Sequence, residues 1–231
     1  MTHNLAQKGC LTQATSSFNF VRMKKKLIGL AFVLLLAPAV AFGYYSTLDT
    51  AELLKPGEYN AGFEPQYIFD NYPGVNFIGH FDMGASDSGN LKFVLGSGRT
   101  SFQSGAFYKI VPIPDIEGQP GIGVFGGILY AYQNVSSALN FRVHPEISKK
   151  FKSVDAGEIT PYGAIPIGID FVGNNTYYPI QLAVGARWLP PNLKHMHFWS
   201  EFGFELDSAA FSYISLGLTI PFSSSDPFTF D

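Results

Sequence analysis

His80-Phe81-Asp82 sets an imidazole and a carboxylate two residues apart, so a strand through them puts both on one face, as a general acid–base pair requires. His195 and His197, in "LKHMHF", share that spacing and offer two ligands to a metal, short of the three or four that a zinc-type site uses. Both patterns are common by chance. "GIGVFGG", residues 121–127, is glycine-rich but no helix pattern follows it, so it reads as a strand with small inward positions rather than a phosphate loop. Asn134-Val135-Ser136 and Asn174-Asn175-Thr176 match a glycosylation pattern that matters only in a eukaryotic secretory pathway. The larger chemical set is Glu64, His80, Asp82, Lys92, Lys109, Arg142, His144, Glu146, Asp170, Arg187, Glu201 and Glu205, which fall on one face of successive strand-like segments. Charges of both signs in a narrow interior most simply satisfy one another as an ion-pair network. The functional alternative is a constricted polar pore, whose acidic excess would favour cations.

The elements that position these residues are legible from residue 58 onward. Segments of about ten residues alternate between apolar and polar and end in Gly, Asn, Asp, Ser or Pro. The first opposes Tyr59, Phe63, Tyr67 and Phe69 to Asn60, Gly62, Glu64 and Gln66, and the second opposes Val75, Phe77, Phe81 and Met83 to Asn76, His80 and Asp82. Leu91–Leu95 makes a shorter third. Segments over 101–112 and 121–132 are less regular, because Phe107, Phe125 and Leu129 fall on the polar face. The sixth opposes Leu139, Phe141, Val143 and Ile147 to Asn140, Arg142, His144 and Glu146. Three more follow over 159–171, 178–188 and 198–207, and the tenth is "YISLGLTIPF", residues 213–222.

Ahead of them, Met23 opens "MKKKLIGLAFVLLLAPAVAFG": three lysines, an apolar run and small residues spaced for signal peptidase, with cleavage expected after Ala41 or Gly43. Residues 1–22 have no place in an export signal, so translation is expected to begin at Met23. Residues 44–57 read as a short periplasmic lead-in helix, started by the Asp49/Glu52 pair and stopped by Pro56-Gly57. Residues 1–43 carry five of the 15 basic side chains and none of the 18 acids, so the remainder has a net charge of −8, which argues against nucleic-acid binding. The single cysteine, Cys10, lies upstream of the signal, which excludes disulfides and a lipoprotein anchor from the exported chain.

Two solvents could face the apolar rows: a protein interior or hydrocarbon. Charged residues make up 14 % of the chain and aromatics 16 %, and the polar face is studded with glycines such as Gly62, Gly123, Gly168, Gly185, Gly203 and Gly217. Crowding inside a small closed barrel gives strand glycines a reason. Aromatics near segment ends, including Tyr59, Phe69, Tyr72, Tyr130, Trp188 and Phe222, fit girdles at two lipid–water boundaries.

On these features the chain resembles the small bacterial outer-membrane β-barrel proteins, over about residues 58–222. In that superfamily the assembly machinery reads a last strand with alternate apolar residues and a terminal aromatic, and Ile214, Leu216, Leu218, Ile220 and Phe222 match. "SSSDPFTFD" follows, so either residues 223–231 are a tail or the closing strand runs later, through Phe228 and Phe230. The expected fold is all-β, a closed antiparallel barrel of about ten strands, within a range of eight to twelve. The resemblance implies outer-membrane lipid, the barrel-assembly machinery and periplasmic chaperones as partners, no cofactor, and a membrane-structural or narrow-channel role. A rim-active barrel enzyme and a secreted soluble β-sandwich are the alternatives.

Overall fold

The structure, a computed structural model, describes residues 46–69, 73–193 and 195–224. The proposed signal sequence and residues 225–231 of the expected tail lie outside them. The strands are β1 (Glu58–Ile68), β2 (Gly74–Ser86), β3 (Gly89–Gly98), β4 (Phe102–Ile113), β5 (Gly121–Gln133), β6 (Ser136–Ser148), β7 (Phe151–Ser153), β8 (Gly157–Ala164), β9 (Ile167–Val172), β10 (Asn175–Tyr177), β11 (Gln181–Leu189), β12 (His197–Glu205) and β13 (Tyr213–Ser223).

All pair antiparallel in one sheet, and the sheet closes on itself. β6 pairs with β9 through residues 138–143 and with β8 through 146–148, while β1 pairs with β13. β8 and β9 are one stave interrupted at Pro166, β10 and β11 another interrupted at Pro179, and β7 is a short lip beside β8, which leaves ten staves. Proline lacks the amide hydrogen a ladder needs. Here the bonds around each proline are re-routed through its carbonyl: Ile165 N donates to Pro145 O at 3.1 Å, Gly168 N to Pro179 O at 3.1 Å, and Gln181 N to Pro166 O at 2.9 Å. Three prolines on adjacent staves are therefore accommodated without opening the wall.

The alternation decides which way each side chain points. Phe63 (53 % exposed), Phe77 (51 %), Leu95 (58 %) and Leu216 (56 %) face outward, while Glu64, Gln66, Gln103, Asn140, Thr160 and Glu201 are completely buried in the lumen. Phe107, Phe125 and Leu129, irregular in the sequence pattern, do sit on the inner face. With Ile78, Val94, Ala131 and Ala138 they form an apolar cluster inside the barrel, with the Phe107 and Phe125 rings stacked 4.7 Å apart. The strand that closes on β1 runs Tyr213–Ser223, and Phe228 and Phe230 lie outside the described residues. Tyr59 and Phe222 stack outside this seam, 5.3 Å apart.

One end of the barrel carries the links at 69–73, 99–101, 134–135, 173–174 and 206–212, here called the loop end; the other carries 87–88, 114–120, 149–156 and 190–196, the turn end. The expected lead-in helix is absent from 46–57. Those residues are irregular, and Ser46–Ala51 are buried against inward-facing wall side chains. A helix would satisfy its own amides, whereas here wall side chains satisfy them and the helix loses its advantage.

The seam places Phe63 directly opposite Leu218. Cysteines replacing both residues are expected to form a disulfide in the folded protein and shift its mobility on a non-reducing denaturing gel, whereas pairing Phe63→Cys with Leu206→Cys, outside the seam, should give no such band.

Candidate functional site in the barrel lumen

Alternation on seven strands delivers the wall of this site, and the N-terminal segment fills it. Glu201 of β12 lies at its deepest point. Its carboxylate accepts from the main-chain amides of Thr47 and Leu48, each at 2.8 Å, and from the hydroxyls of Tyr162 at 2.7 Å and Tyr213 at 2.5 Å. Four donors on one carboxylate offset the cost of burying its charge. The two tyrosines reach it because Gly185 and Gly203 lie beneath their rings, where a Cβ would overlap them. Those glycines, read in the sequence as crowding, are the space the site requires.

Toward the turn end, Asp49 bridges two strands. Its carboxylate accepts from Lys109 at 2.6 Å and from Lys92 at 3.2 Å. Lys92 also donates to the carbonyls of Thr47 and Leu48, at 3.2 and 3.0 Å, and Lys109 to that of Thr50 at 3.0 Å. Farther out, Glu52 pairs with Arg187 at 2.5 Å and Lys150 at 2.6 Å, and Glu158 shares both cations. Ala51 N donates to Ser148 Oγ at 3.0 Å.

Burial raises the proton affinity of both segment carboxylates, yet the facing cations outweigh it. Lys109 and Lys92 bring Asp49 down to about 2 from its ordinary 3.8, and Arg187 and Lys150 lower Glu52.

The structure gathers the sequence's candidates unevenly. Lys109, Arg187 and Glu201 join the N-terminal segment, together with Lys92. His80 pairs with Glu64 at 2.6 Å rather than with Asp82, whose carboxylate lies 3.8 Å from Lys92, so the imagined His80/Asp82 couple is divided between two other partners. Arg142 and Asp170 pair at 2.5 Å nearer the loop end. His144 is buried with its ring edge-on to Phe125 at 5.2 Å, and Glu146 is buried on the same strand. Glu205 departs from expectation: it has the inward phase but ends β12 at the loop end, where it is exposed. His195 and His197 line a cavity of about 460 Å3 at the turn end with Tyr59, Asp82 and Glu52, and no group of three metal-ligating side chains occurs among the described residues.

The loop end is covered too. Residues 206–212 fold inward, so that Phe211 and Ala210 are buried against Ile68 and Tyr213, and Gln181 donates to Phe211 O at 2.5 Å. What sequence reasoning missed is the N-terminal segment itself, because its partners lie 43 to 154 residues away.

No protein-family model and no curated protein matches the chain. Among solved structures it is similar to a de novo designed transmembrane β-barrel, at 16 % identity and a TM-score of 0.38, over 74 % of this chain and 100 % of that one. It is also similar to the β domain of the Bordetella autotransporter Brka, at 11 % identity and a TM-score of 0.42, over 72 % of this chain and 98 % of that one. Both likenesses are distant, and the barrel stands on its own strand pairings.

Replacing Glu201 with Ala strands two amides and two hydroxyls, and should cost on the order of 3 kcal/mol or more in unfolding free energy measured in detergent. Acid should act late. A carboxylate held below its ordinary value stabilises the folded form above that value and loses the contribution as pH falls through the folded one. The Asp49 contribution is therefore expected to be intact at pH 4 and to disappear towards pH 2, read as protease sensitivity of the segment across an acid titration.

Proposed function

We propose that this protein is an integral outer-membrane β-barrel, closed at rest, whose role is membrane-structural rather than that of an open pore. The observation that carries the membrane placement is the inverted polarity of the wall. Phenylalanine, leucine, isoleucine and valine side chains are exposed around the outer face, while lysines, arginines, glutamates and glutamines are buried within. A soluble monomer seldom exposes a contiguous apolar patch beyond a few hundred Å2, whereas hydrocarbon requires such a surface. The export signal read at residues 23–43 supports the same location.

Closure at rest is supported from three levels of the lumen. The N-terminal segment lies across the lumen above the turn-end cavity, the Phe107/Phe125 cluster lies between, and Phe211 covers the loop end. The buried cations there are matched to carboxylates rather than arrayed as a ring of one sign, which a selective pore would use.

The protein is expected in the outer-membrane fraction after a high-salt wash, with heat-modifiable migration on gels, and to pass no current in planar bilayers over a wide voltage range. A folded, detergent-free monomer in plain buffer would defeat the membrane assignment, and steady single-channel steps would defeat the closed barrel.

A further inference from the structure

Residues 46–55 are held in the way a receptor holds a peptide. Its C-terminal end meets the sheet through the backbone, where Glu58 N donates to Lys55 O at 2.9 Å and the adjoining Pro56 bridges Gly84, while residues 47–52 are held by side chains of the wall. Six of those hydrogen bonds go to its main chain: the amides of Thr47 and Leu48 to Glu201, the carbonyls of Thr47 and Leu48 to Lys92, the carbonyl of Thr50 to Lys109, and the amide of Ala51 to Ser148. The hydroxyls of Ser46 and Thr47 have no hydrogen-bond partner among the described residues. Specific recognition falls on two carboxylates three residues apart, Asp49 on Lys92 and Lys109, and Glu52 on Arg187 and Lys150, with Leu48 packed against Trp199 and Tyr162.

We propose that the turn-end half of the lumen is a binding site for a non-helical acidic peptide with Asp-x-x-Glu spacing, which residues 46–55 occupy in cis and which accepts such a peptide in trans once that segment is released. Main-chain contacts, among them the successive Thr47 and Leu48 amides that converge on Glu201 with Leu48 at a φ of 31°, fix the bound conformation, and the lysine pair and the Arg187/Lys150 pair select the acids, as basic clusters do in acidic-motif recognition. Tethering gives the cis segment a high effective concentration, so it excludes competitors until its acids are lost. This rests on the closed-barrel reading and adds a ligand class to it.

The test uses the full mature chain in detergent, with Thr50→Cys as the reporter, since the mature chain has no other cysteine. Asp49→Asn with Glu52→Gln releases the segment, and heat-modifiable migration shows that each variant is folded. The new thiol is expected to react with a maleimide about tenfold faster in the released variant, and a fluorescent peptide of sequence STLDTAELLK should bind that variant about tenfold more tightly than the parent. The same peptide carrying Asn and Gln in place of its two acids should not bind. A thiol that stays protected in the folded variant overturns the proposal, because the carboxylates then do not hold the segment. An exposed thiol without peptide binding overturns it as well, because the lumen then takes the segment only as part of its own fold. Loss of heat-modifiable migration in the parent protein would instead strike at the barrel reading itself.

Discussion

On the proposed membrane placement the outer face meets hydrocarbon, which offers no partner to a backbone amide and makes each unpaired group cost several kcal/mol, so a sheet so placed cannot keep a free edge. The pairing of β1 with β13 is the consequence, and the other features of the wall accommodate it. Three prolines could have broken the ring at Pro145, Pro166 and Pro179. They lie side by side on neighbouring staves, and each lends its carbonyl to an amide across the gap. The interruption of two staves thus leaves the belt of hydrogen bonds continuous.

Closure creates a second problem inside. The pleat that sends Phe63 and Leu216 outward sends Glu64 and Ser215 inward, and ten staves enclose too little room for water to solvate a dozen charges freely. The lumen answers in layers. An apolar cluster around Phe107 and Phe125 needs no partners, His80 takes Glu64, and Arg142 takes Asp170. Lys92, Lys109 and Arg187 find their strongest counter-charges outside the wall, on Asp49 and Glu52 of the N-terminal segment. A barrel stripped of that segment would hold three buried cations facing only Asp82, Glu158 and the more distant Glu146.

The periodic part of this was readable. Ten alternating segments correspond to ten staves, and even the irregular positions Phe107, Phe125 and Leu129 carried the right phase, since parity depends only on strand geometry. What parity cannot report is partner identity. His80 and Asp82 share a face, but their partners come from β1 and β3. The same limit explains the lead-in helix: Asp49 and Glu52 look like acids placed to favour a helix start, and their spacing instead matches cations on β3, β4 and β11. Glu205 shows where parity ends, at a rim with no lumen left to face.

The groups that hold the N-terminal segment are contributed by β3, β4, β6, β11 and β12, with Tyr162 of β8 and Tyr213 of β13 steadying Glu201. These strands meet around the segment only once the ring is complete. The binding site for residues 46–51 is therefore a property of the closed barrel and of no smaller part. The segment in turn neutralises charges that closure would otherwise leave facing each other across the lumen, so closing the wall and filling it favour one another. That coupling explains why a segment with so little sheet pairing is as thoroughly buried as the strands that surround it.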